Sequence, residues 1–249
     1  MLRKRSRLIA APVAAVALTL TVAGYQASAA GGSADSNGAG SAAASARATG
    51  PCLTDATTLV GDLDGDGNPD RIANPGHTGT KMTVQWGTAS GTFGAKQSVG
   101  KLLGAKRGEV ATAAVADFRH DGTLDMVVDV VEPSGVDDPN TARVADFRPG
   151  PLRRADLGSA HARHLDIGDA SEVKELRIAD YDGDAYPDLA LLSNAGDGVW
   201  ERGVRLSAQG DGPGSYDQDA QQKYGETGTP AEPPAMPADG WKHFFSSCS

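Results

Sequence analysis

The sequence predicts an all-β protein, an array of four-stranded units in which one strand–loop–strand element recurs three times. Three observations predict it. Asp62-Leu-Asp64-Gly-Asp66-Gly67-Asn68-Pro-Asp70 places four carboxylates at positions 1, 3, 5 and 9 of one short loop, and Asp180-Tyr-Asp182-Gly-Asp184-Ala185-Tyr186-Pro-Asp188 repeats them. Asp117-Phe-Arg119-His-Asp121-Gly122-Thr123-Leu-Asp125 keeps three of the four. Short apolar runs enter and leave every loop, and the first Asp falls at 62, 117 and 180, a spacing of 55 and then 63 residues that marks a repeat architecture.

The chain opens on a predicted secretory signal at residues 1–29. Arg3, Lys4, Arg5 and Arg7 form its charged start, Leu8 to Gly24 its apolar stretch and Ala27-Ser-Ala29 its cleavage site. At 17 residues, broken by Pro12, the apolar stretch is short for a membrane span. An uncleaved N-terminal anchor is the alternative. No later segment reads as a span. Residues 30–50 are Ala-, Gly- and Ser-rich and read as a flexible spacer. Residues 51–249 then form one domain. Loss of the four signal cations takes the net charge from −9 to −13, which argues against nucleic acid, whose phosphates demand basic patches.

Within the domain, first strands enter the loops at Thr58–Gly61, Ala113–Ala116 and Leu176–Ala179. Second strands leave them at Arg71–Asn74, Met126–Val131 and Leu189–Ser193. The last two are almost wholly apolar, as strands covered on both faces are. Third strands are placed at Met82–Trp86, Ala142–Phe147 and Gly203–Ala208, with a weaker fourth before the next unit. Gly-rich turns follow the third strands at Gly87–Gly94 and Gly210–Tyr216, reduced to Pro149-Gly150-Pro151 in the middle unit. Four strands per unit match a β-propeller blade. Three blades do not close a ring. Either Trp241–Phe245 and the segment after Cys52 build a fourth, degenerate blade, or the array stays open and pairs with another chain; the first is favoured, though Asp217–Gly240 reads as loose. Cys52 and Cys248, the only cysteines, stand at the two ends of the domain and suggest a disulfide clasp, with two free thiols as the alternative.

The loops carry the chemistry. Two carboxylates about 5 Å apart repel by roughly 3 kcal/mol at an effective dielectric near 20, and a hard dication with six to eight oxygen ligands relieves this. Calcium is the expected ion. The loops begin like an EF-hand but lack its Glu at position 12, where Ala73, Val128 and Leu191 stand. The expected ligands are Asp62, Asp64, Asp66, the carbonyl of Asn68 and Asp70 in the first loop, and Asp180, Asp182, Asp184, the carbonyl of Tyr186 and Asp188 in the third. Ala185 replaces a glycine and is strained if that position needs positive φ. In the middle loop Asp117, Asp121, the carbonyl of Thr123 and Asp125 form a weaker set, because Arg119 replaces a carboxylate. Its guanidinium is expected to serve as a built-in cation in preference to a metal.

The D-x-D-G-D-G-x-x-D loop, the apolar strand after it and the Gly91-Thr92-Phe93 turn resemble FG-GAP/VCBS-type repeats over roughly residues 55–216. Such repeats form calcium-bearing propeller blades of integrin α-subunits and of many secreted bacterial proteins. The resemblance implies a propeller fold, structural calcium and adhesion or ligand binding at the propeller faces. Family propellers typically have seven blades, against three visible here.

Signals for catalysis are weak. Ser171-Glu-Val-Lys174 matches the serine–lysine motif of penicillin-recognising enzymes without its partner motifs, and reads as chance. His161-Ala-Arg-His164 offers two imidazoles on a short helix, too few for zinc. Trp86, Trp200 and Trp241, with Tyr181, Tyr186 and Tyr216, allow sugar stacking, although core packing accounts for most of them. The reading is a secreted, non-catalytic, calcium-binding module for an extracellular protein or glycan ligand, with oligomerisation open. The alternatives are a polysaccharide hydrolase or lyase with structural calcium, and an envelope protein assembling through blade pairing.

Overall fold

A computed structural model describes residues 50–135, 138–167, 172–238 and 240–249. The expected signal at 1–29, the spacer up to residue 49 and Ser171 lie outside them. The described strands form three antiparallel meanders, one per repeat. The first runs β1 (Cys52–Asp55), β2 (Thr58–Gly61), β3 (Asp70–Ala73), β4 (Thr83–Gln85) and β5 (Gln97–Ser98), followed by the short helix α1 (Val99–Leu102). The second is β6 (Val110–Ala116), β7 (Asp125–Val131), β8 (Val144–Arg148) and β9 (Arg163–His164). The third begins with β10 (Glu172–Ala179), β11 (Asp188–Gly196) and β12 (Val199–Arg205). A two-stranded ribbon, β13 (Ser207–Ala208) and β14 (Gly212–Pro213), and the helix α2 (Gln218–Tyr224) follow. Then β15 (Glu226–Gly228) completes the third sheet beside β12, and α3 (Trp241–Phe244) ends the chain. These are all-β, propeller-like blades.

Burial explains the second strands. Every residue of β7 is buried, so its Met-Val-Val-Asp-Val-Val run packs on both faces, and β11 is buried at all but one position. One core takes Leu59 and Ile72 from the first sheet, Val127 and Phe147 from the second, and Leu176 and Leu191 from the third. The sheets also exchange backbone bonds: Ala113 N donates to Gly79 O and Leu176 N to Thr78 O, each at 3.1 Å. The β3–β4 connection thereby holds the first strands of both other sheets.

Three expectations are corrected. No fourth blade forms from Trp241–Phe245 and the segment after Cys52 among the described residues. β1 joins the first sheet as a fifth strand, and α3 is helical, its Trp241 indole buried and donating to Val115 O at 2.8 Å. The third strand of unit three ends at Arg205 instead of Ala208. It starts early because Asp197 (φ 50°) and Gly198 (φ 71°) make a two-residue hairpin with both residues left-handed, the turn that Asp-Gly favours. The stretch taken as loose supplies α2, capped by Asp217 accepting from Ala220 N at 2.8 Å, and the fourth strand of its blade.

Cys52 and Cys248 are disulfide-bonded across 196 residues, so the free-thiol alternative is excluded. Leu53 N donates to Ser246 O and Cys248 N to Leu53 O, both at 2.8 Å, which seats the C-terminal segment parallel to β1. The clasp exists without the blade it was expected to close. No helix among the described residues is long and apolar enough to cross a membrane.

Candidate metal centre

Each Asp loop folds by aspartates bonding the backbone just ahead of them, the usual work of short carboxylate side chains in turns. Asp62 accepts from Gly65 N and Gly67 N at 2.8 Å, Asp64 from Asp66 N at 3.2 Å and Asp66 from Asn68 N at 2.8 Å. Asp180, Asp182 and Asp184 repeat this towards Gly183, Asp184 and Tyr186. The tight path puts position 6 in the left-handed region in all three loops: Gly67 at φ 82°, Gly122 at 84° and Ala185 at 68°. The expected strain at Ala185 is therefore present.

The ninth residue of each loop has a second task that the sequence does not announce. Asp70, Asp125 and Asp188 open the outgoing strands and are completely buried. One oxygen of each accepts a backbone N–H from the start of its own loop: Leu63 at 2.9 Å, Arg119 at 3.2 Å and Tyr181 at 2.8 Å. The other accepts the N–H of the residue two past the end of the third strand: Gly87 at 2.7 Å, Gly150 at 2.8 Å and Ser207 at 2.8 Å. A Cβ on Gly87 would lie 2.2 Å from Pro69 O, and one on Gly150 2.4 Å from Leu124 O. In the third blade the Ser207 hydroxyl instead bonds the equivalent carbonyl of Pro187 at 2.5 Å. The glycines in the turns are there because the third strand must dock on loop backbone.

Two of the loops gather carboxylates closely enough for a metal. Asp62, Asp64 and Asp70 can each present an oxygen within 4.8 Å of the others, and so can Asp180, Asp182 and Asp188. Asp66 and Asp184 stand outside these tight groups, held by the N–H of Asn68 and Tyr186. Asn68 and Tyr186 are partly exposed on the same loops. Burial pushes the Asp70 carboxyl up to about 6, against the bonds from Gly87 and Leu63 and helped by the charge of Asp64. Asp188 is likewise pushed up to about 6 by burial, with the charges of Asp182 and Asp184 adding to it. Carboxylates crowded around one buried member fit a hard, oxygen-seeking dication. Calcium bound there would supply countercharge, and these Asp residues would hold it.

The middle loop carries its own cation. Arg119 Nε and Nη2 donate to Asp125 Oδ1 at 3.1 and 3.0 Å, and its Nη1 lies 2.9 Å from Asp121 Oδ2. Burial opposes the charged guanidinium, but the bonds to Asp125 and the charges of Asp125, Asp121 and Asp117 outweigh it and raise its pKa. Asp117 is occupied by the N–H groups of Asp121 and Gly122, and Thr123 N bonds Asp121.

Two further basic side chains were not foreseen. Arg154, on the β8–β9 connection, places Nε on Asp64 and Nη2 on Asp66 of the first loop. His243 of α3 brings Nε2 to 3.5 Å from Asp180 Oδ2. Neither has a local signal, since Arg154 lies 90 residues from Asp64 in sequence. Of the catalytic alternatives, Lys174 sits on β10 ion-paired with Glu172, and His164 lies on strand β9, not on a helix with His161. Trp86 and Trp241 are 7% and 2% exposed, packed in the core and not presented for stacking.

Residues 62–128 match the family model of the FG-GAP-like repeat. The matched span runs from the first Asp loop through the second and into β7, so the third loop lies beyond it. No curated protein and no solved structure matches the chain. The match shows similarity to an FG-GAP-like repeat over that span, within a chain of propeller-like blades.

Proposed function

We propose that this protein is a secreted, calcium-stabilised binding module that engages an extracellular protein or glycan through its blades and catalyses no reaction on it. The observation that carries the reading is the recurrence of one donor set, Asp62/Asp64/Asp70 and Asp180/Asp182/Asp188, at the same place in two blades. Asp66 and Asp184, with the carbonyls of Asn68 and Tyr186, would complete the two ligand shells. Calcium would neutralise each loop and set the angle between the strands it joins, so its part is structural and the binding surface follows from it. The FG-GAP-like repeat supports a ligand-binding role, and the disulfide agrees with an oxidising, extracellular setting. The predicted signal at 1–29 supports secretion. Among the described residues Tyr216 is the only exposed large hydrophobic side chain, which favours a partner recognised mainly by polar contacts.

A calorimetric calcium titration after chelator treatment, with a melting curve at each end point, tests the reading. Saturable binding with a large rise in melting temperature is expected. Asp182→Asn should abolish the binding assigned to the third loop. An unchanged melt and no heat of binding would refute the calcium reading.

A further inference from the structure

Each Asp loop meets a different basic side chain, and the differences are graded. The third loop has four carboxylates and, among the described basic side chains, only the exposed imidazole of His243 within 4 Å. The middle loop has three carboxylates and its own guanidinium, Arg119. The first loop has four carboxylates and a guanidinium delivered from the next sheet. Arg154 is positioned there by backbone and side chain alike. Leu152 N donates to Leu63 O at 2.9 Å, Arg154 Nη2 also donates to Gly87 O at 3.3 Å, and its Cζ lies 5.6 Å from the Trp86 ring. Asp64 is thus shared. One oxygen accepts from Asp66 N, the other from Arg154, and the same carboxylate belongs to the triad that can hold a metal. An arginine guanidinium stays charged across the pH range of folded proteins, and the fork on Asp64 and Asp66 holds that charge at the loop.

We infer that Arg154 is a built-in competitor for the dication at the first loop, and that guanidinium placement grades the three loops into a tight, a weak and a non-binding calcium site. The inference rests on the calcium reading above. Ligand charge count tunes affinity in oxygen sites, and a fixed cation subtracts from it. After each guanidinium is counted, four net negative charges remain at the third loop, three at the first and two at the middle one. Calcium at the first loop must also loosen one of the contacts through which the second sheet grips the first. Occupancy there is coupled to inter-sheet packing, whereas at the third loop no guanidinium strap opposes it.

The test is a calcium titration of the protein followed by calorimetry, with sites assigned by Asp182→Asn (third loop) and Asp64→Asn (first loop). The wild type should show one tight and one weak site. Arg154→Gln should tighten the weak site about tenfold or more and leave the tight one within twofold. Arg154→Lys keeps the charge but cannot fork Asp64 and Asp66, and should fall between. In chelator, Arg154→Gln should melt below wild type, and saturating calcium should close that gap. A first-loop affinity unchanged or weakened in Arg154→Gln, with third-loop binding intact, would overturn the competitor role and leave the calcium reading standing. Absence of binding in wild type and Arg154→Gln alike would overturn both.

Discussion

Replacing Asp129 with Asn should remove a pH dependence built into the middle blade. Asp129 lies in the centre of β7, opposite Thr112 of β6 and Ala145 of β8. It is 1% exposed, and among the described residues neither of its oxygens nor the Thr112 hydroxyl finds a hydrogen-bond partner. The charged residues on adjoining strands are engaged elsewhere: Asp146 with Arg148 on β8, Glu172 with Lys174 on β10. Burial alone therefore acts on the carboxyl, and pushes it up to about 8 from an ordinary 3.8. Between those values the folded protein keeps a proton that the unfolded chain has released. The contribution to stability is full below about pH 4 and is lost as pH rises, at about 1.4 kcal/mol per pH unit, until the folded group ionises near 8. From pH 4 to 7 that loss is about 4 kcal/mol. Asn has nearly the same shape and does not titrate. Urea unfolding of both proteins at pH 5.5, 6.5 and 7.5, at one fixed calcium concentration, should show the variant gaining on wild type by about 1.4 kcal/mol per pH unit. Asp70 and Asp188 titrate in both proteins and cancel in the difference. Parallel stability curves across this range would refute the reasoning.

Other substitutions test the loop architecture. Ala185→Gly should stabilise the protein by about 0.5–1 kcal/mol, because relief of left-handed strain outweighs the added freedom of the unfolded chain; a loss of stability by denaturant titration would contradict the strain at φ 68°. Gly87→Ala should cost about 2 kcal/mol or more, since its Cβ would meet Pro69 O at 2.2 Å and pull Gly87 N from Asp70; the same assay decides it. Reduction of Cys52–Cys248 should lower stability by up to about 5 kcal/mol for a loop of 196 residues, and a melting temperature unaffected by reductant would count against the clasp.

The sequence alone determined whatever depends on residues adjacent in the chain. Aspartates spaced two apart bond the N–H groups just beyond them, so the three loops, their left-handed sixth position and the strain at Ala185 were legible. So was Arg119, whose partners lie within its own loop, and so were the buried second strands, from their unbroken apolar runs. The Asp197-Gly198 hairpin signal was also present and was overlooked. Only the tertiary structure decided the rest. Arg154 reaches Asp64 across 90 residues, and Gly87, Gly150 and Ser207 meet the ninth-position carboxylates only once the third strand of each blade has folded back. The C-terminal segment became a helix on the core because Trp241 finds Val115 O across 126 residues, a partner no local pattern could name. Asp129 reads as one acid in an apolar run until packing removes every partner from it. Turn chemistry is written in neighbouring side chains, whereas countercharge and burial are set by which distant segments the fold brings to one place.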